Sequence, residues 1–235
     1  MESRFATLNL VGGDEENEVL HLEAVVDEGK LGVNEFTLVG RFITHRKINF
    51  GAMRNTLSNL WRPRMGVFMQ ELGPKLYMFQ FFHEIDLSRV IQDYLDSVRI
   101  VDGGPWTFNN SLLVTHHLQA GENPAEVPLV EALFWVQVFN VPVGYFNELV
   151  AELLGNFIGR FVKYDSAAIT RGWQSYMRLR VAVDIRQPLI RAKKVHTQGG
   201  KIVTVSFKYE RLSTFCYNCG RIGHKDQFCE VMLAA

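Results

Sequence analysis

The stretch between residues 216 and 229 constrains this chain more than any other. It reads C-x2-C-x4-H-x4-C and uses all 3 cysteines of the protein. Cys216, Cys219, His224 and Cys229 offer three thiolates and one imidazole, the soft and borderline ligands of a closed tetrahedral zinc site. Gly220 and Gly223 stand inside the loop, where a chain reversing around a metal needs positive φ or a close backbone approach. One structural zinc ion is therefore expected. Four protein ligands leave no open position for an activated water.

This unit resembles the zinc knuckle of retroviral and retrotransposon Gag-type proteins. Cys216, Cys219, His224 and Cys229 fall on its ligands, Tyr217 on the aromatic after the first cysteine, and Gly220 with Gly223-His224 on its C-G-x-x-G-H core. The resemblance implies a small platform on which an unpaired base stacks, with Tyr217, Ile222 and Phe228 as its candidates. Stacking of this kind is worth about 1–3 kcal/mol per base. Two roles stay open for Tyr217: stacking a base, or covering the metal. Lys208, Arg211, Arg221 and Lys225 lie in or beside the segment that presents the knuckle and are the expected phosphate contacts.

The net charge of zero hides an asymmetry. Residues 1–35 carry a net −7, residues 36–159 a net −2 and residues 160–229 a net +10. Polyanion binding needs local positive charge, because each neutralised phosphate releases counterions. The basic block runs directly into the knuckle. Its bases either face a nucleic acid or sit on the solvated faces of ordinary strands.

With 235 residues, 47% hydrophobic and 21% charged, the chain has enough apolar material to bury a core. No apolar run approaches the roughly 20 residues of a membrane span, since the 132–139 stretch is broken by Gln137. Met1-Glu2-Ser3-Arg4 opens no signal-peptide core. Three cysteines committed to zinc fit a reducing compartment, so an intracellular ribonucleoprotein, nuclear or cytoplasmic, is expected, with no membrane partner. Catalysis is not expected. The sequence offers no Gly-rich phosphate loop, and no nucleophile–histidine pair remains once zinc takes its ligands. His116 and His117 are neighbours on an expected strand and so point to opposite faces.

Along the chain, residues 1–34 read as an acidic arm with a short segment at 18–28. Residues 35–120 give a strand (36–44), a helix (49–61), two strands (67–71 and 76–82) joined at Gly73-Pro74, a helix from Asp86 towards Tyr94, and a last strand (112–117). The expected fold class is therefore α+β, with a ferredoxin-like βαββαβ order. Residues 121–212 read as a second, smaller α+β unit. Its elements are a strand (134–139), a helix (146–157), a strand (160–164) and two long strands (177–185 and 201–211) around a basic turn. Its β-α-β-β opening echoes the first unit and suggests a degenerate internal duplication. The knuckle occupies 213–230.

The first unit resembles an RNA-recognition motif in this order and in Val39-Gly40 leaving the first strand. Phe79 and Phe81 fall on its buried positions. Leu76 and Met78 stand where that family carries stacking aromatics, and Leu38 replaces the exposed aromatic of its first strand. Such an apolar outer face points to packing against another part of the chain or a partner rather than to RNA. A wider resemblance covers about 36–229, through Gly40-Arg41-Phe42, Leu60-Trp61-Arg62, Phe79-Gln80-Phe81-Phe82, Gly103-Gly104-Pro105-Trp106, Phe134-Trp135-Val136-Gln137-Val138 and Phe207-Lys208-Tyr209-Glu210-Arg211-Leu212. It is to a plant protein family with an uncharacterised N-terminal domain and this knuckle, encoded by or derived from LINE-type retrotransposons. The stretch 92–101 departs from that pattern by its extra length, as helix or loop.

Two function classes follow. One is a binder of single-stranded nucleic acid, RNA favoured over DNA, as a Gag-like component of a retroelement. The other is a protein-interaction module, self-associating or binding a partner through the RRM-like unit, with the knuckle as a structural clip. Steep salt dependence marks the first and not the second.

Overall fold

A computed structural model describes residues 35–91, 104–142, 144–166 and 175–233. The acidic arm with its 18–28 segment, and the 92–101 stretch, lie outside the described residues. The elements are β1 (Thr37–Ile43), α1 (Phe50–Trp61), β2 (Val67–Gly73), β3 (Leu76–Phe81), α2 (Glu84–Ile91), β4 (Trp106–Phe108), β5 (Ser111–His117) and β6 (Glu131–Phe139). They continue with α3 (Glu148–Ile158), β7 (Arg160–Tyr164), β8 (Tyr176–Asp184), β9 (Ala192–His196), β10 (Ile202–Tyr209), a 3-10 turn (Asp226–Phe228) and α4 (Glu230–Leu233). The class is α+β, as expected, and the described residues form two five-stranded antiparallel sheets with few helices.

Helix α1 forms where its signals predict. Asn49 is extended and its Oδ1 accepts from the Ala52 amide at 3.0 Å, satisfying one of the free N-terminal donors. Met53, Leu57 and Trp61 recur at four-residue spacing and are buried. The helix stops at Arg62 (φ 45°), whose amide donates to Ser58, and Pro63 cannot continue it.

The first sheet has the order β2-β3-β1-β5-β4. Leu38, Phe42, Tyr77, Phe79, Phe81 and Leu113 share one buried cluster with Met53, Leu57 and Trp61 of α1 and with Leu87 and Val90 of α2. Val39, Leu76, Leu112 and Val114 fall in the other cluster, which holds the opposite parity of the same strands. Leu38 therefore does not lie on the outer face, as expected from sequence, but is fully buried beneath the helices. The register pairs it with Phe79, and paired residues share a face. Thr37-Leu38-Val39-Gly40 is buried at both parities, so polar alternation gave no phase there.

Strand β4 was not anticipated. It is short and pairs with β5 through Asn109 and Asn110, at φ 47° and 59°. Two successive left-handed residues make the tight hairpin turn for which asparagine is favoured. That Asn-Asn pair was the available signal.

The second sheet has the order β7-β8-β6-β10-β9. Each strand number of the first order, raised by five, gives the second. Helix α3 follows β6 as α1 follows β1. Among the described residues, no helix between β8 and β9 matches α2. Phe134, Val136 and Val138 pack with Leu179, Val181 and Val183 and with Ala151, Leu154 and Ile158 of α3. Their sequence neighbours Trp135, Gln137, Arg178 and Arg180 point to the opposite face. The expected basic turn is itself strand β9, pairing antiparallel with β10. It is an edge strand, and its exposed Lys193 and Lys194 are the charges that edges carry against unwanted pairing.

The cluster of the second sheet also contains Val39, Leu76, Leu112 and Val114 of the first sheet, with Leu118, Val127 and Leu129 of the connecting chain. The apolar outer face of the first sheet is thus buried inside the chain at Val39, Leu76, Leu112 and Val114, whereas Met78 is half-buried and Phe68, on the same face of β2, is 50% exposed.

Candidate functional site

The knuckle grows directly from the end of β10. Phe215 and Ile222 form a two-residue bridge, and the Cys216 amide donates to Arg221 while the Gly220 amide donates back to Cys216. These bonds fold the loop into a narrow turn with Cys216 and Cys219 on one limb and His224 on the other. The 3-10 turn then returns Cys229, whose amide donates to Asp226. The ligand atoms of Cys216, Cys219, His224 and Cys229 all lie within 4.8 Å of one another. Cys219 Sγ stands 3.3 Å from His224 Nε2.

This donor set fits zinc. Three sulfurs and one imidazole nitrogen converge on one point, and metal–ligand lengths of about 2.0–2.3 Å place tetrahedral ligands at such mutual distances. Burial pushes the Cys216 thiol up to about 11. A hydrogen bond with His224 is the largest of the influences that bring Cys229 down to about 7. Ligation takes the thiolates, so loading the site releases protons.

The knuckle is anchored on both sides. Gly223 (φ 104°) lies against Ile43 at the end of β1, where a Cβ would meet Ile43 Cγ2 at 2.8 Å. The Thr214 amide and hydroxyl both donate to Asn110 in the β4–β5 turn, at 3.0 and 2.8 Å. The His45 and His224 rings stand edge to face at 6.2 Å. From the second half, the Leu189 amide donates to Gly220 at 2.7 Å, and a Cβ on Gly220 (φ 74°) would press on Pro188 at 3.2 Å. Gly220 and Gly223 therefore serve both turn conformation and docking.

The expected nucleic-acid residues divide into three groups. Tyr217 and Phe228 are 69% and 57% exposed, and Arg221 and Lys225 are exposed beside them in sequence. Ile222 is not available as a platform, because it is 6% exposed and belongs to the cluster that holds Leu189 and Leu112. Its bridge to Phe215 turns the side chain inward, so it supports the loop from behind. Lys208 and Arg211 are exposed but lie on β10 and just after it. Lys208 Nζ sits 4.3 Å from the Phe139 ring centroid, on the face away from α3.

Asp226 was not singled out from sequence. Its Oδ1 accepts from the Tyr217 amide at 2.6 Å and so fixes the backbone that presents the exposed ring. A hydrogen bond from Cys216, first among several influences, holds its carboxyl below the usual range. An Asx residue opening the last turn of the motif was the legible hint.

Part of the basic block is internal. Arg178 lies 3.9 Å from the Trp135 ring centroid and pairs with Asp165 at 3.0 Å and Glu210 at 2.9 Å. Arg180 is 3% exposed and donates to the Gly104 carbonyl at 3.3 Å. The net +10 thus overstates the charge this segment shows to solvent. His116 and His117 bond to Glu122 and to the Glu35 carbonyl respectively, so they turn to separate partners.

Residues 31–126 match a family described as a domain of unknown function (DUF4283). Residues 183–231 match one described as a zinc knuckle. An uncharacterized protein of Arabidopsis thaliana is 26% identical over 135 residues, 57% of this chain and 42% of that protein. The chain thus spans less than half the length of that relative. In this chain a segment that matches the DUF4283 model is followed by one that matches the zinc-knuckle model.

Proposed function

We propose that this protein binds single-stranded nucleic acid through its knuckle, with RNA as the preferred strand, as a Gag-like component of a retroelement ribonucleoprotein or a domesticated relative. The observation that carries this reading is the pairing of a four-ligand metal centre with two exposed aromatics, Tyr217 and Phe228, on the same short loop. Bound zinc supplies a structural cross-link and no catalysis. Tyr217 and Phe228 offer faces for unpaired bases, Arg221 and Lys225 offer phosphate contacts, and Asp226 orients Tyr217 from behind. In this reading the protein binds and does not catalyse, and it works inside the cell.

The first sheet contributes support rather than readout. Its β2-β3-β1-β5 core, with α1 and α2 on one face, is consistent with an RRM-like βαββαβ unit. The face such a unit would offer to bases holds Val39, Leu76, Leu112 and Val114, which are buried. The pairing of a DUF4283 domain with a CCHC knuckle, typical of plant retrotransposon-associated proteins, supports the Gag-like role.

Fluorescence anisotropy with labelled RNA and DNA oligonucleotides, at two salt concentrations and with or without chelator, tests this reading. Tyr217→Ala should weaken binding by about 1–3 kcal/mol while zinc stays bound. Unchanged affinity with full zinc occupancy would remove the stacking role.

A further inference from the structure

Helix α3 is apolar on two sides. Ala151, Leu154 and Ile158 face the core of the second sheet. On the other side, Leu149 and Leu153 are 79% and 70% exposed, and Phe157, 38% exposed, continues their line at the flank, where its ring lies 6.4 Å from that of Phe207. These three recur at four-residue spacing and form one stripe. A helix apolar on both sides is normally covered on both.

We propose that this stripe is the core of a twofold homodimer in which α3 packs antiparallel against its copy. The charge around the stripe supports a second copy as the occupant. Exposed Glu148 and Glu152 border its N-terminal half. At its C-terminal end, Lys193 of β9 holds its Nζ 4.4 Å from the Phe157 ring centroid. A surface acidic at one end and basic at the other is complementary to itself when reversed, which is the property an isologous interface requires. With the axis at Leu153 and a rise of 1.5 Å per residue, Glu148 lies about 7.5 Å to one side and Phe157 about 6 Å to the other. Each copy's Glu148 then sits beside Phe157 and Lys193 of its partner. The bordering carboxylates argue against a phosphate backbone as the occupant. Three anchoring side chains cover less than the roughly 800 Å² per partner of a standard stable interface, so the dimer is a micromolar one.

Sedimentation velocity on the zinc-loaded full chain, from about 1 to 200 μM, brackets micromolar dissociation and should show concentration-dependent dimerisation. Leu153→Glu at the axis should leave a monomer, and Leu153→Gln provides the same test with a milder change at this exposed position. Both should melt as the parent does at low concentration. Glu148→Lys and Lys193→Glu should each weaken dimerisation about fivefold, and the double reversal should restore it. A monomer throughout, a dimer indifferent to both Leu153 changes, or a double reversal that fails to rescue would overturn the proposal. None of these outcomes depends on nucleic-acid binding.

Discussion

The two sheets share one strand order and one direction of pairing, yet their helix-free faces differ in kind. In the first sheet most of that face, Val39, Leu76, Leu112 and Val114, is consumed in packing. In the second it carries Trp135 under Arg178, Lys163 and Arg180, with Arg178 tied to Asp165 and Glu210. One topology thus accepts either an apolar or a charged face, and the side chains of alternate parity decide which. The knuckle draws on both halves, through Ile43 and Asn110 on one side and Leu189 on the other. The largest expected effect breaks this arrangement at the metal. Chelation, or Cys219→Ser, should unfold the knuckle, because zinc contributes on the order of 10 kcal/mol or more to such small sites. Hydrogen exchange should rise across residues 213–229 while β1 and β6 stay protected, and single-strand binding should vanish. Retained protection in the chelated knuckle would mean that docking alone holds it.

A matched pair of core truncations asks whether the halves behave as one body. Phe79 and Phe134 are both fully buried, one in each sheet. Phe→Ala at either site should cost about 3–5 kcal/mol. Because Val39, Leu76, Leu112 and Val114 belong to the cluster of the second sheet, both variants should lower a single thermal transition. Two transitions, each sensitive to one substitution, would show that the halves melt apart.

The knuckle was legible because metal ligation fixes residue type and spacing together. Long elements with caps, such as α1 behind Asn49, were legible for the same reason: independent signals agree. What failed was phase and edge. Leu38 was assigned to the wrong face because β1 is buried on both parities. β4 and β9 escaped because one is three residues long and the other reads as a lysine-rich turn. The inward turn of Ile222 depends on the bridge with Phe215 and on packing by chain segments far away in sequence, which no local pattern reports.

A smaller effect probes the charged face. Arg178 holds Asp165 and Glu210 while stacking on Trp135. Arg178→Ala strands two half-buried carboxylates, although Glu210 keeps its bond from Gln137 at 2.8 Å. The expected loss is about 1.5–3 kcal/mol in denaturant unfolding, the range for hydrogen bonds to charged groups. Single-strand affinity should move little, since this arginine is spent internally. A folded variant that loses affinity in proportion would assign the second sheet a direct role in binding.

The smallest effect compares the two halves residue for residue. Asn49 and Asn147 occupy equivalent places, each the extended residue before the helix that follows the first strand of its sheet. Asn49 Oδ1 accepts from Ala52 and Asn147 Oδ1 from Val150, both at 3.0 Å. Replacing either by alanine removes one cap bond and should cost about 1 kcal/mol. The consequences differ because α1 buries Met53, Leu57 and Trp61 beneath one side, while α3 in the free chain also leaves Leu149 and Leu153 to solvent. Asn49→Ala should give the same stability loss at every protein concentration. If α3 is the contact between copies, Asn147→Ala frays the end that carries Glu148 and Leu149, and should weaken dimerisation as well as stability. Equal and concentration-independent losses from both substitutions would confine the second cap to a local role and leave the halves energetically alike at this position.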